Sequence, residues 1–323
     1  MRVVRAERFG GPDVLRVVEE PVPVPGPGQV VIDVEAVDTL FMDTQIRAGL
    51  ARQWFPVAPP FVPGSGAAGR VSITGEGVET AWTSRRVIVH RLTTGAYAER
   101  VVAEAEALLP IPEKLGTREA AALIHDGTTA MAIAEPLAPR PGEWVLITAA
   151  AGGMGVLLVQ LARTAGARVI AAARGERKLA VLREFGAEAV VDYSEPGWTD
   201  TVRGVTGDAG VDVLWDGAGG GIGRAAFPLV RDGGRVSAHG AASGGFAPIG
   251  EEEARRRGIT LRGIGELQFS REVAAPLTAR ALEEAAAGRL APVIGQTFPL
   301  DRAAEAHAAI ESRQTVGKTL LLP

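Results

Sequence analysis

Apolar and polar positions change their spacing along this chain of 323 residues, and the change predicts two kinds of structure. In the first third, apolar and polar side chains alternate over short segments that Gly and Pro separate, as in half-buried strands. We predict strands at 1–9, 29–37, 69–73, 85–90 and 96–102. Many short strands joined in this way indicate a compact, barrel-like β domain.

From Thr117 onward the apolar residues recur at helical spacing, and helix and strand patterns then alternate. The predicted strands are 144–148, 168–173, 189–191, 211–215 and 234–239, and the predicted helices between them are 154–164, 176–185, 198–205 and 222–230. Such alternation is typical of parallel strands with right-handed crossovers, so the fold class is α/β with a doubly wound sheet.

The first strand of this series runs into a glycine-rich turn, WVLITAAAGGMG, at residues 144–155. Glycines in such a turn let the backbone approach a pyrophosphate at the amino end of the following helix. The spacing departs from the strict three-glycine fingerprint, and glycine also serves packing in strand-to-helix turns. The alternating elements that follow favour a dinucleotide site over simple packing.

The end of the second strand selects between two cofactors. An acidic residue there, about 20 residues past the glycines, is typical of NAD sites, but this chain reads IAAARGERK. Arg174 and Lys178 would suit a 2′-phosphate, which predicts NADPH. The alternative is that both are solvated surface charges.

Composition excludes several classes of partner and site. A net charge of −4 and a pI of about 5.7 argue against nucleic acid and anionic membranes. No apolar run approaches the roughly 18 residues of a membrane helix, and the start of the chain lacks a signal-peptide core. Cysteine is absent, which excludes disulfides and thiolate chemistry. We therefore expect a cytoplasmic protein.

An ordered set of segments extends over nearly the whole chain. They are DTLFMDTQIRAGL, PFVPGSGAAGRV, GAYAERVVAEAEALLPIPEKL, AAAGGMG, EFGAEAVVDY, VDVLWDGAGG, GGRVSAHG, TLRG and the tail from GRLAPVIGQ to GKTLLL. Together they resemble the zinc-independent members of the medium-chain dehydrogenase/reductase superfamily, especially its quinone oxidoreductases and enoyl reductases. The resemblance implies a six-stranded Rossmann domain at 121–261 that binds NADPH. It also implies a GroES-like substrate domain built from 1–120 and 262–323, and a homodimer.

The resemblance also implies the residues that contact the cofactor. Gly152, Gly153 and Met154 would meet its phosphates, and Arg174, Lys178 and Tyr193 would meet the adenosine phosphate. The other matching positions are Thr129, Ala218, Gly219, His239, Gly240, Leu267 and Lys318. Three of these residues have alternative interpretations: Tyr193 could pack on the sheet edge, Thr129 could pack within its helix, and Lys318 could lie at the surface.

Zinc-dependent relatives need a cysteine ligand and a Gly-His-Glu segment, whereas this chain has Gly64, Ser65 and Gly66 at the corresponding place. Its four histidines are scattered without a ligand spacing, so we expect no metal.

Several departures from the family pattern affect the substrate pocket. Leu40 replaces an Asn, Gln45 stands where many relatives have Tyr, and Gly66 replaces an acidic residue. In relatives these positions face the nicotinamide or the substrate, as do the matching positions of Thr129 and Leu267. The candidates to handle the proton are Gln45, which can only position a carbonyl, and His125 and Asp126. Solvent or the ribose hydroxyl is the alternative source.

The resemblance implies hydride transfer from NADPH to a quinone or an α,β-unsaturated carbonyl (enone). One alternative is an enoyl reductase dedicated to a biosynthetic pathway. Another, from a different class, is an NADPH-binding protein with little turnover.

Overall fold

The computed structural model describes residues 1–90, 95–267 and 270–323. The chain forms two compact units. We call them the terminal unit, Met1–His125 with Thr278–Pro323, and the central unit, Asp126–Leu277. The sequence-based prediction puts the divisions after residues 120 and 261.

The strands of the described residues are numbered in chain order. They are β1 (Arg2–Ala6), β2 (Leu15–Glu19), β3 (Gln29–Thr39), β4 (Gly66–Thr74), β5 (Arg86–His90), β6 (Arg100–Glu104), β7 (Leu108–Pro110), β8 (Trp144–Thr148), β9 (Arg168–Ala173), β10 (Ala189–Asp192), β11 (Val211–Asp216), β12 (Val230–Ala238), β13 (Thr260–Gly263), β14 (Ile294–Pro299) and β15 (Lys318–Leu322). The helices are α1 (Phe41–Ala48), α2 (Thr117–Leu123), α3 (His125–Ala134), α4 (Gly153–Thr164), α5 (Glu176–Glu184), α6 (Trp198–Thr206), α7 (Gly220–Ala226), α8 (Glu251–Arg256), α9 (Arg271–Ala286) and α10 (Ala303–Glu311).

The terminal unit is the predicted β-rich domain. Its larger sheet has the order β14-β15-β3-β4-β5-β7, with β6 also paired to β3, and β1 pairs separately with β2. The long strand β3 is buried along most of its length and pairs with β4 and β15 through antiparallel ladders. Helix α2, which is mostly alanine and leucine, packs on β3, β4 and β15. The start of α3 therefore lies beside the end of β3.

The central unit is the predicted doubly wound domain, with a parallel six-stranded sheet in the order β10-β9-β8-β11-β12-β13. All five residues of β8 are buried, as expected for a strand that helices cover on both faces. The strand order reverses between β8 and β11. Doubly wound folds bind ligands at the carboxyl ends of the strands at such a reversal.

None of the helices within the described ranges is both long enough and apolar enough to cross a bilayer.

Candidate functional site

The turn after β8 has the geometry of a phosphate cradle. Ala149 adopts φ 51°, a left-handed conformation that is uncommon outside glycine. Gly152 is the N-cap of the twelve-residue helix α4, and no side chain caps that end. A Cβ on Gly155 would lie 2.5 Å from the Ala149 carbonyl oxygen, so only glycine lets the helix start this close to the strand. The exposed N–H groups and the helix dipole suit a pyrophosphate.

Asp216, at the end of β11, organises the neighbouring turn. Its Oδ1 accepts hydrogen bonds from the backbone N–H of Ala218 and of Gly219, both at 3.1 Å, and from the Thr148 hydroxyl at 2.5 Å. Burial raises the pKa of Asp216, although these donors oppose the shift. The carboxyl ends of β8 and β11 are therefore tied together where the strand order reverses.

The turn after β12 packs tightly against the turn after β11. Gly240 and His239 both donate their backbone N–H to the Asp216 carbonyl, and a Cβ on Gly240 would overlap Gly217. The His239 ring is buried, and its Nδ1 lies 3.0 Å from the Ser237 hydroxyl. Burial lowers the pKa of His239 to about 4, so the ring is neutral at pH 7.

The turn after β9 carries the predicted cations. Asp192 accepts a 2.7 Å hydrogen bond from the Gly175 N–H, which fixes this turn beside the end of β10. Arg174 is exposed and Lys178 is half-buried on α5. Burial, followed by the charges of Arg174 and Arg177, lowers the pKa of Lys178. An anion bound beside Lys178, Arg174 and Arg177 would favour the charged form of Lys178.

Four further predicted cofactor residues lie on or next to other elements of the two units. Thr129 is half-buried on α3, and Tyr193 is half-buried against the core of the central unit, next to the end of β10. Leu267 ends the one-turn 3-10 helix Ile264–Leu267, and its side chain lies outside the described residues. Lys318 belongs to the terminal unit and is buried, so the alternative of a surface role for Lys318 is wrong.

The terminal unit contains a buried ionic cluster that consists of Asp38, His125 and Lys318. Asp38, on β3, is fully buried, and its Oδ1 forms an ion pair with the Lys318 ammonium, which is 4% exposed. Its Oδ2 contacts His125 Nδ1 and also accepts the His125 backbone N–H at 3.2 Å. Burial alone would raise the pKa of Asp38, but Lys318 and His125 together hold it well below its usual range.

The far side of the His125 ring has two further neighbours. Nε2 lies 3.3 Å from the Ser65 hydroxyl, and the ring packs edge-on against His90 with centroids 4.2 Å apart. A Cβ on Gly66 would come within 3.2 Å of His125 Cε1 and 3.4 Å of the Asp38 Cβ. The absence of a side chain at Gly66 therefore leaves room for this arrangement.

The structure thus brings His125 together with Asp38, Lys318 and Ser65 in a polar site. Gln45 is half-buried on α1 and donates to the Thr44 hydroxyl at 3.1 Å. Leu40 directly precedes α1, and its N–H donates to Asp43 at 2.9 Å. Sequence reasoning did not identify Asp38. No local pattern distinguishes Asp38, because β3 also carries Asp33 and Glu35, and its partner Lys318 comes from β15, which pairs with this end of β3.

A second buried polar cluster lies nearby in the terminal unit. The Tyr97 hydroxyl is 2.8 Å from His307 Nε2 and 3.3 Å from Asp43 Oδ2. Burial raises the pKa of Asp43 to about 6, and burial with the charge of Arg47 lowers the pKa of His307 to about 3. Arg47 itself is buried and paired with Glu311.

Across residues 1–90, 95–267 and 270–323, no three His, Asp or Glu side chains are grouped closely enough to hold a metal ion.

Comparison with known proteins identifies both units. Residues 26–113 match the family model described as "Alcohol dehydrogenase GroES-like domain", and residues 153–280 match the one described as "Zinc-binding dehydrogenase". A 2-haloacrylate reductase from Burkholderia sp is 35% identical over 97% of this chain and 96% of its own length. The quinone oxidoreductase of Sus scrofa is 32% identical over 100% of this chain and 98% of its own length.

A solved structure agrees with these relatives. Escherichia coli quinone oxidoreductase complexed with NADPH superposes with a TM-score of 0.91 at 27% identity, and the alignment covers 100% of both chains. The chain therefore belongs to the medium-chain dehydrogenase/reductase superfamily, as an oxidoreductase of the quinone oxidoreductase-like group.

Proposed function

We propose that this protein is an NADPH-dependent, metal-independent reductase of conjugated carbonyl compounds, either quinones or α,β-unsaturated carbonyls. The observation that carries the proposal is that two features occur together in the central unit. The start of α4, after the glycine turn, has no side-chain cap, and a group of cations follows the next strand, β9. The first feature suits a pyrophosphate and the second a ribose 2′-phosphate.

Bound NADPH would supply the hydride. Gly153 and Met154 would hold the pyrophosphate through their backbone N–H groups at the start of α4. Gly152, the N-cap, would lie beside it, because its own N–H already donates to the Ala149 carbonyl. Arg174 and Lys178 would pair with the 2′-phosphate. Ala218, Gly219 and Gly240 would lie beside the nicotinamide ribose, as the family resemblance implies. Their small size lets the turns after β11 and β12 pack closely on each other.

The class of acceptor follows from the relatives and from the pocket residues. The similar proteins are named for reducing quinones and 2-haloacrylate, and both kinds of compound contain a carbon–carbon double bond conjugated to a carbonyl or carboxylate. Leu40 and Gly66, at positions that face the substrate or nicotinamide in relatives, add no polar side-chain atom. A planar, conjugated acceptor therefore fits better than a sugar or a polyol.

The test is NADPH oxidation by the purified full chain, after treatment with a chelator, against a panel of quinones, enones and 2-haloacrylate. We expect turnover with at least one conjugated acceptor, none with the saturated analogue of that acceptor, and no loss of rate after chelation. Tight NADPH binding with no turnover on any acceptor would instead favour a cofactor-binding protein. Stoichiometric zinc in the active protein would contradict metal independence.

A further inference from the structure

We propose that His125 is the proton donor of the reduction and that the buried pair of Asp38 and Lys318 positions it. This inference rests on the proposed function and adds to it the residue that completes the reaction. The family pattern does not supply such a donor here, because Gln45 stands where many relatives have a tyrosine and an amide side chain has no proton to give at neutral pH.

The tautomer of His125 follows from its contact with Asp38. The Lys318 ammonium keeps Asp38 ionised, so the carboxylate can only accept hydrogen bonds. His125 Nδ1 must therefore carry a proton and donate it to Asp38 Oδ2. Nε2 is then the atom that gains and loses a proton, as in other sites where a buried carboxylate orients an imidazole.

The position of Nε2 is suited to proton delivery. The His125 side chain is 21% exposed, whereas Asp38 and Lys318 are almost completely buried, so the ring alone connects the cluster to the outside. Nε2 is directed toward Ser65, in the segment that includes Gly66. Gly66 is one of the positions that face the nicotinamide or substrate in relatives, and the His125 ring lies against it.

The reduction adds one hydride and one proton to the acceptor. Hydride adds to the β-carbon of the acceptor, and the electron pair of the double bond moves onto the carbonyl oxygen, which gives an enolate. The N–H at His125 Nε2 transfers its proton to the α-carbon, and the ring becomes neutral. Solvent reprotonates Nε2 before the next turnover. For a quinone, the same proton neutralises the phenolate oxygen that forms on hydride addition.

Charged and titratable groups surround His125 on several elements. Asp38 on β3 and Lys318 on β15 form the ion pair, His90 on β5 packs against the ring, and Asp43 on α1 interacts electrostatically with His125. Asp126 follows it on α3. The carboxylate of Asp38 is in direct contact with the ring, so it determines which ring nitrogen carries a proton.

The first test replaces the donor and leaves its partners in place. In His125→Gln the amide can still donate to Asp38, but no group replaces the acidic N–H at Nε2. We expect kcat to fall about 100-fold, within the usual contribution of a general acid. NADPH affinity should be unchanged, and the solvent deuterium isotope effect should rise because proton transfer becomes slower. His307→Gln is the matched control, since it removes a buried histidine of the same unit, and it should keep the wild-type kcat at pH 7.

The second test addresses positioning and has a readout that needs no turnover. In the cofactor-free protein, nitrogen NMR of labelled histidine should show a protonated, hydrogen-bonded Nδ1 at His125. In Asp38→Asn this signal should lose its carboxylate partner. kcat should also fall, because the ring is no longer held in a single tautomer.

These measurements distinguish a failure of the proposed function from a failure of the proton-donor inference. Suppose that the wild type reduces an acceptor and that His125→Gln keeps its kcat within about threefold. The proposed function then stands and the proton-donor inference is wrong. A threefold change in kcat corresponds to less than 1 kcal/mol of activation free energy, well below the usual contribution of a general acid. If His125 Nδ1 carries no proton in the wild type, the positioning role of Asp38 is wrong. If the wild type binds NADPH but reduces nothing, both the function and the inference fail.

Discussion

At the scale of single residues, the absence of a side chain at Gly66 leaves room for a buried carboxylate on the adjacent strand. Gly66 is on β4 and Asp38 is on β3. A Cβ on Gly66 would lie 3.4 Å from the Asp38 Cβ, so an acidic side chain at position 66 would compete with Asp38 for the same space and the same Lys318. In this chain the buried negative charge therefore comes from β3 and lies beside His125.

Arg174 should determine the choice between the two reduced cofactors. In Arg174→Ala we expect NADPH affinity to fall about tenfold or more, because a charge-assisted hydrogen bond contributes roughly 1.5–3 kcal/mol. NADH affinity should change little, since NADH lacks the 2′-phosphate. Fluorescence titration with both cofactors measures the two affinities.

Arg183→Ala provides the control for this change. Arg183 is on α5, the helix that follows Arg174, and it forms an ion pair with Glu176. We expect its removal to leave both cofactor affinities as they are. An equal loss of NADPH and NADH affinity in Arg174→Ala would contradict recognition of the 2′-phosphate. So would a wild-type protein that binds NADH as tightly as NADPH.

At the scale of elements, the start of α4 depends on a glycine. Gly155→Ala would place a methyl group 2.5 Å from the Ala149 carbonyl oxygen and 2.6 Å from the Ala150 carbonyl. The helix must shift away from β8, so we expect a loss of about 1–3 kcal/mol in the free energy of unfolding and weaker NADPH binding. Urea unfolding and cofactor titration measure these two effects.

Gly221→Ala is the matched control in a later crossover helix of the same unit. Gly221 is in α7, and a Cβ there would meet nothing within 4 Å. Because alanine favours helix, this variant should be as stable as the wild type or slightly more so. If Gly155→Ala were also as stable as the wild type, close packing at the turn would not explain the glycine at position 155.

The elements differ in how far the sequence could predict them. Strands β8 and β9 have the predicted bounds, because they are buried apolar runs that end abruptly at small residues or glycine. Helix α7 ends at Ala226, short of the predicted 230, where a 3-10 turn containing Pro228 takes over. The position of Asp38 beside Lys318 and His125 depends on strand register across distant segments, and local patterns do not contain that information.

At the scale of the whole molecule, each unit contains a buried histidine that resists protonation. Burial lowers the pKa of His307 in the terminal unit to about 3 and that of His239 in the central unit to about 4. The unfolded chain takes up these protons below about pH 6.5, so the free energy of unfolding falls as the pH drops through that range. Asp43 acts in the opposite direction, because its pKa is raised to about 6 and the folded state binds its proton first.

Two histidines oppose the carboxyls of Asp43 and Asp216, whose pKa values burial raises, and the histidines have the larger effect, so acid should destabilise the protein. By linkage, each histidine costs about 2 kcal/mol at pH 5 and Asp43 returns about 1 kcal/mol, so these three groups together cost roughly 2–3 kcal/mol relative to pH 7. Urea unfolding at the two pH values measures it. His307→Gln should lose less stability between pH 7 and pH 5 than the wild type, and Asp43→Asn should lose more, because each variant removes one of the opposing contributions. Equal losses in all three proteins would show that neither buried group sets the acid sensitivity.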